Sequence, residues 1–320
     1  MRIVLITPAR PSARAGNRAT AVRWAQFLRQ DGHRVDIATE YNGARADAMI
    51  ALHAWRSAPA IRLFHERFPD RRLIVALTGT DLYRFIHSHP DTTLDSIARA
   101  HRLIVLHDKA REALPMQHRH KVRVVHQSAL PLPQSYRRAS KGFPVCVIGH
   151  LRQEKDPFRA ALAARRLSED SRIRILHAGK AHDETWAEAA RAEMARNPRY
   201  RWYGELPHWQ VRRLMGRCRA MVLSSRMEGG ANVVSEAAVA GLPIIASRID
   251  GSLGLLGEEY PGYYPVEDEL GLAGQLRRAE CDPAFYAALE RHCADKAALF
   301  SPLREARAVQ GVVAEVGPWE

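Results

Sequence analysis

A strand, a glycine turn, a short helix, a glycine stop and a second strand follow one another between Met221 and Arg248, and that order admits few folds. Met221-Val222-Leu223 is an apolar run of strand length, and Gly229-Gly230 opens a turn that no side chain obstructs. Val233 to Ala240 favours helix, Gly241 stands where a C′ glycine belongs, and Pro243 forbids continuation before Ile244-Ile245-Ala246 begins the next strand. The amides of Gly230, Ala231, Asn232 and Val233 then lie at a helix N-terminus, which suits a phosphate. Glu228 and Glu236 bracket that position. Amides that hold phosphate, beside carboxylates that accept from hydroxyl groups, suit a sugar nucleotide.

The same alternation runs through the whole chain. The first half reads as Ile3–Ile6, a helix from Asn17 to Gln30 stopped by Gly32, then Val35–Ala38, Ala48–Leu52, a helix around Ile61–Phe68, Leu73–Leu77, a helix near Leu94–Arg99, Leu103–Leu106 and Val122–Val125. A second alternation starts at Phe143: Val145–Ile148, helix Pro157–Leu167, Ile173–His177, helix Glu184–Ala195, Tyr200–Tyr203 and helix Gln210–Gly216, leading into the segment above. Asp282–Leu299 and Pro302–Val316 read as closing helices. Alternating strands and helices predict an α/β chain with mostly parallel, doubly wound sheets. The expected division is a first domain over 1–130, a proline-bearing basic linker over 131–142, a second domain over 143–300 and a last helix over 301–320.

With 320 residues there is room for two such domains, each with its own core. The net charge of +13 would fit nucleic acid, a membrane surface or an anionic small substrate. Arginine is spread along the chain, and no zinc-finger spacing, RNP-like aromatic motif or basic tail accompanies it, so nucleic acid is not expected. No run reaches the ~18 apolar residues of a membrane span, and Met1–Pro8 reads as a first strand. Cys146, Cys218, Cys281 and Cys293 form no C-x-x-C and are expected to be buried free thiols, which together suggests the cytoplasm.

Seven residues separate Glu228 from Glu236, and the surrounding sequence runs SSRMEGGANVVSEA and then AGLPIIAS. This stretch resembles the E-x7-E signature of the family 4 glycosyltransferases, whose usual form is EGFGLVxxEAMACGxPVIAS. The resemblance implies the GT-B architecture: two Rossmann-like parallel-sheet domains facing across a cleft, with the C-terminal helix crossing back to the first. It also implies that Glu228 grips sugar hydroxyls and Glu236 the ribose diol. Gly149-His150-Leu151-Arg152-Gln153-Glu154-Lys155 resembles the family's G-R-L-x-x-x-K-G, in which arginine and lysine grip the diphosphate. Lys155 matches the lysine, His150 stands where the arginine belongs, and Arg152 is placed to supply the missing charge. Alternatively, Lys155 merely starts a helix. The loops Ala178-Gly179-Lys180 and Tyr203-Gly204-Glu205-Leu206-Pro207 are placed like the family's base-binding loops.

In the first half, the loop Pro8–Arg18 resembles the family's glycine loop, with Gly16-Asn17 in place of paired glycines beside the donor phosphates. Arg10, Arg14 and Arg18 stand there with no acid among them, so the loop is either a solvated one or a pocket for an anionic acceptor. Thr78-Gly79-Thr80-Asp81 resembles the family's H-G-T-D, and Asp81 either faces the acceptor or caps the next helix. His53 and His107 close strands and are either a base, a phosphate ligand or packed residues. Gly251-x-x-Gly254-x-x-Gly257 is no dinucleotide fingerprint and follows no evident strand–helix unit. A P-loop and a D-x-D are both missing, so neither a P-loop kinase nor a metal-held diphosphate is expected.

Sugar transfer asks for stabilisation of the departing diphosphate, a grip on the sugar and entry of a nucleophile. Lys155, Arg152 and the amides at Gly229–Val233 fit the first demand without metal or other cofactor. The opening ITPA-x-P-x-x-x-x-GNR-x-TA-x-RWA, with LHAWRSA, LTGTDLYRFI and SSRMEGGANVVSEA, is similar to the selenosugar synthase branch of selenoneine biosynthesis. That similarity implies a UDP-sugar, above all UDP-N-acetylglucosamine, as donor and selenophosphate as acceptor, giving a 1-seleno-sugar. The alternatives are a family 4 enzyme with an alcohol, thiol or lipid acceptor, a UDP-sugar 2-epimerase of the same shape, and a basic nucleic-acid-binding protein.

Overall fold

The computed structural model describes residues 1–11, 16–133 and 135–315, and the chain packs as two compact units. The first holds Met1–Ser128, Glu228–Asn232 and the residues from Phe300 to the end of the last helix. Its strands are β1 (Arg2–Ile6), β2 (Arg34–Ala38), β3 (Ala48–Leu52), β4 (Arg72–Ala76), β5 (Arg102–Val105) and β6 (Val122–Val124). They form one parallel sheet in the order β2-β1-β3-β4-β5-β6, with Ile3 opposite Val35 on one side and Ala48 on the other. β3 is buried along its whole length, which is why AMIAL carries no polar alternation: a strand covered on both faces is apolar throughout.

Helices α1 (Gly16–Gln30), α2 (Ala58–Arg67), α3 (Ile86–Ser88) and α4 (Pro90–Arg99) belong to this unit. One face of the sheet packs on α1 through Ala21, Trp24, Ala25 and Leu28, and the other buries Ile61 and Phe64 of α2 and Ile97 of α4.

Unit two begins with β7 (Phe143–Ile148), α5 (Arg159–Ala164), β8 (Ile173–Ala178), α6 (Glu184–Arg196), β9 (Tyr200–Trp202) and α7 (His208–Arg217). It continues with β10 (Ala220–Leu223), α8 (Asn232–Val239), β11 (Ile244–Ser247), α9 (Asp250–Leu256), β12 (Tyr263–Tyr264), α10 (Glu269–Cys281) and α11 (Pro283–Ala297). Its sheet is again parallel, in the order β12-β11-β10-β7-β8-β9, the doubly wound Rossmann arrangement. Gly241 ends α8 with φ +62, the left-handed turn expected of it. Asp183, Asp268 and Asp282 cap α6, α10 and α11 by accepting from first-turn amides.

Several sequence expectations change. The glycines at 251, 254 and 257 do follow a strand: β11 leads into α9, and Gly257 closes that helix with φ +91. β12 and α10 were not foreseen. Cys281 is exposed, whereas Cys146, Cys218 and Cys293 are buried free thiols. The basic linker is tethered: Arg138 donates to Glu290, Tyr286 and the Gly241 carbonyl, and Arg212 holds the Leu130 and Pro131 carbonyls. Among the described residues no helix is long and apolar enough to cross a membrane.

The last helix, α12 (Pro302–Glu315), lies in the first unit. Val309, Val312 and Val313 join Trp24, Leu28 and Ile50 in the buried cluster on the α1 face of the sheet. Glu305, 1% exposed, accepts from Trp24 Nε1 at 2.8 Å, Arg23 Nε at 2.7 Å, and the Ser128 amide and hydroxyl at 2.7 and 2.5 Å.

Candidate functional site

In an open parallel sheet, ligands bind outside the carboxyl ends of the strands, where the strand order reverses. In unit two that reversal lies between β7 and β10, and a pocket opens there. It is lined by Gly149, His150 and Lys155 from the loop after β7, by His177 of β8, and by Ser224 and Ser225 after β10. Lys155 ends a 3-10 turn, Gln153–Lys155, and lines this pocket.

Its loop is held from several sides. Ser224 Oγ donates to the carbonyls of Lys155 and Asp156 at 3.0 and 2.9 Å, and the Arg226 amide to the Glu154 carbonyl at 2.9 Å. Asp156 takes a left-handed φ of 42 and pairs at 2.8 Å with Arg159, which also reaches Glu269 at 2.7 Å. The loops after β7, β8 and β9 are laced together: Gly149 donates to Ala178, Leu151 to Lys180 and Gly179 to Gly204. A Cβ on Gly179 would lie 1.8 Å from the Gly149 carbonyl oxygen, so only glycine permits this approach.

His150 Nδ1 accepts from the Lys180 amide at 3.1 Å, tying the two loops. Arg152 stands 3.9 Å from Glu154 and does not line the pocket. Residues the sequence reading passed over complete the floor. His177, wholly buried, bridges Tyr200 Oη and the Gly149 carbonyl at 3.0 Å each, and burial pushes its imidazole down to about 4. Nothing in the sequence marked it, because it reads as one more strand residue.

Helix α8 follows β10, with Val233 half-buried in its first turn and Glu236 one turn further on. Glu236 Oε1 lies 3.2 Å from Nε2 of His208, the first residue of α7, and that carboxylate raises the imidazole's pKa.

In unit one, the segment Glu228–Asn232 packs against the loops after β4 and β5. A Cβ on Gly229 would lie 2.3 Å from the Gly79 nitrogen and the Thr78 carbonyl carbon, and one on Gly230 would lie 2.3 Å from Leu106 Cβ. The paired glycines therefore admit a close approach by neighbouring chain rather than leaving an open turn. Ala231 is buried, and Asn232 accepts from Arg23 Nη2 at 3.2 Å and stands beside Gly16. Glu228 is 8% exposed. The Glu228 main chain stands beside buried His107, whose Nε2 lies 3.1 Å from Tyr83 Oη; desolvation lowers its pKa to about 4. His107 is a packed, neutral residue.

Asp81 resolves likewise. It is wholly buried and accepts from the amides of Thr78, Gly79, Leu82 and Ala54 at 2.8 to 3.2 Å. It holds two strand-end loops together and opens a π-helical turn, Asp81–Phe85, instead of facing an acceptor. Asp81→Ala is expected to cost about 3 kcal/mol, because four buried amides lose a charged acceptor. A urea midpoint equal to wild type would contradict this.

His53 closes β3 at φ +78, a conformation a non-glycine residue adopts only when held there. Its Nδ1 accepts from the Arg56 amide at 3.2 Å, so the neutral ring carries its proton on Nε2 and donates to Thr80 Oγ1 at 2.9 Å. Burial favours that neutral form, against the pull of Asp81. His53 and Thr80 thus form one unit at the reversal between β1 and β3. Gly16 opens α1, with Asn17 and Arg18 partly exposed in its first turn, and Arg10 is exposed before it. Arg14 lies outside the described residues.

Residues 131–296, more than half of the chain, match the model of the family described as glycosyl transferases group 1. No curated protein matches the sequence. Among solved structures, HepE of Anabaena in complex with UDP and glucose superposes with a TM-score of 0.79 at 13% identity, covering 98% of this chain and 100% of that one. Sucrose-phosphate synthase of Thermosynechococcus elongatus gives 0.79 at 16%, with 98% of each chain covered. A glycosyltransferase of Rickettsia africae gives 0.73 at 11%, again with 98% of each covered. At these identities the likeness establishes the fold, two parallel-sheet Rossmann-like domains.

Proposed function

The chain belongs to the group 1 glycosyl transferases, and from that premise we propose that it moves a hexose from a UDP-sugar to an anionic selenium nucleophile. The observation that carries the donor half is the ammonium-bearing pocket at the β7–β10 reversal, with Lys155 held by Ser224 and α8 rising from the next strand. A cation there meets the diphosphate as charge develops on it, and a helix N-terminus adds its dipole. Glu236 takes the ribose diol and Glu228 the sugar hydroxyls. The HepE complex with UDP and glucose supports a uridine nucleotide on this fold.

On the acceptor side the support is the resemblance of ITPA, LHAWRSA, LTGTDLYRFI and SSRMEGGANVVSEA to selenosugar synthases, together with Arg10 and Arg18. Selenophosphate would attack the anomeric carbon through selenium. The carbon–selenium bond forms as the bond to diphosphate oxygen breaks, the electron pair leaves with UDP, and water then takes the phosphoryl group from selenium as phosphate to give the 1-seleno-sugar. Such a nucleophile is already an anion, so no strong base is required, in keeping with the packed state of His107. N-acetylglucosamine is the sugar proposed.

UDP release from UDP-N-acetylglucosamine, measured with selenophosphate, thiophosphate and simple alcohols, tests this reading. Release with selenophosphate is expected; release with alcohols alone removes the selenium acceptor but keeps the transferase. Lys155→Ala is expected to slow the supported reaction about 100-fold, mainly in kcat, as when one oxyanion donor is removed. An unchanged kcat would remove Lys155 from the departing diphosphate.

A further inference from the structure

Glu236 is engaged by another side chain. Its Oε1 lies 3.2 Å from His208 Nε2, and its side chain is 18% exposed, whereas that of His208 is 69% exposed. A vicinal diol binds a carboxylate by donating one hydroxyl to each oxygen, so a partner on Oε1 occupies half of what a ribose needs. His208 sits on the first residue of α7 behind Pro207, with solvent on its outer side, and a change of its side-chain torsions is enough to release the carboxylate.

We propose that His208 is a proton-operated guard on the nucleotide site: its imidazolium holds Glu236, and the ribose of the incoming donor must displace it. This rests on the assignment of Glu236 to the ribose.

Three groups bear on the imidazole's charge. Glu236 of α8 favours the imidazolium, and Arg212, one turn along α7, opposes it. The guanidinium of Arg212 is itself turned to the Leu130 and Pro131 carbonyls of the neighbouring segment, which brings no titrating group. The N-terminus of α7 also disfavours a cation. The hydrogen bond to Glu236 is the largest influence, and the pKa rises.

The sign of the pH effect follows. Below that raised pKa the pair is charged and must be broken before the donor enters. Above it His208 is neutral and lets go easily. Donor affinity therefore falls as pH falls, and donor binding releases protons.

The test is the Kd of UDP-N-acetylglucosamine, whose diphosphate diester does not titrate near neutrality, measured by calorimetry at pH 5.8 and 7.8. Wild type is expected to bind about fivefold more weakly at the lower pH. His208→Ala should bind equally at both, and at pH 5.8 about fivefold more tightly than wild type. The His208 imidazole, followed by NMR, should titrate at lower pH once donor saturates the protein. Weaker binding by His208→Ala at both pH values, with the wild-type pH response kept, would make His208 a contact for the donor and overturn the guard. Glu236→Ala is expected to weaken binding at both pH values. If it binds donor as wild type does, the ribose assignment itself is wrong, a different failure.

Discussion

Glu228→Ala is expected to lower the rate of UDP release about 1000-fold, with near-UV and far-UV circular dichroism unchanged. Glu228 is only 8% exposed, and its main chain is fixed because Gly229 and Gly230 press against Gly79 and Leu106. A group so placed does not search for its ligand: the geometry is set before the sugar arrives. On the role proposed for it, removing it takes away both a grip on hydroxyls and the orientation of the anomeric carbon, and such losses are worth about 4 kcal/mol in activation free energy. Glu228→Gln keeps two hydrogen-bonding atoms and should fall between the two. Kinetics separate the alternatives. Loss in kcat/KM with kcat spared would mean uniform binding of the sugar, whereas loss in both places Glu228 in the transition state. Wild-type turnover in Glu228→Ala would remove this residue from the donor site altogether.

The second large effect is on stability. Glu305→Ala strands the Arg23 guanidinium, the Trp24 indole N–H and the Ser128 amide around a hole where four donors met one carboxylate. Breaking a buried ion pair from one side costs about 3–5 kcal/mol. The loss should fall on the first unit, so denaturant unfolding of Glu305→Ala should separate into two transitions, the earlier reported by Trp24 fluorescence. Adding Arg23→Met should recover part of the loss, because the stranded charge is then gone. A single transition at the wild-type midpoint would mean that this cluster contributes little.

Much of this architecture was legible because the strands are written as apolar runs. LIVAL and AMIAL leave no other reading, and Gly241-x-Pro243 marks one helix end to within a residue. What escaped is what lacks that grammar. β12 is two tyrosines, too short for any periodic signal, and α9 carries Gly251 and Gly254, whose low helix propensity disguised it as loop.

The site divides in the same way. Lys155 and Ser224 were findable or nearly so from their local motif. The duty of Asp81 was not, because four amides drawn from two loops decide it and none stands out in the chain. His208 and Glu236 are 28 positions apart, and only folding brings them together. Gly229 and Gly230 do open a turn clear of side chains, but what fills the space is neighbouring chain, Gly79 and Leu106.

The valines at 309, 312 and 313 wall in strands made long before them. While the ribosome is still adding them, the α1 face of the opening sheet is only partly covered, and its apolar strands wait in the care of whatever holds nascent chains. Ala129–Met227 and Val233–Leu299, by contrast, have left the peptidyl-transferase centre before Phe300 is joined. The unit begun first is thus the unit finished last, and losing Pro302–Glu315 spoils the earlier-made sheet instead of the later one.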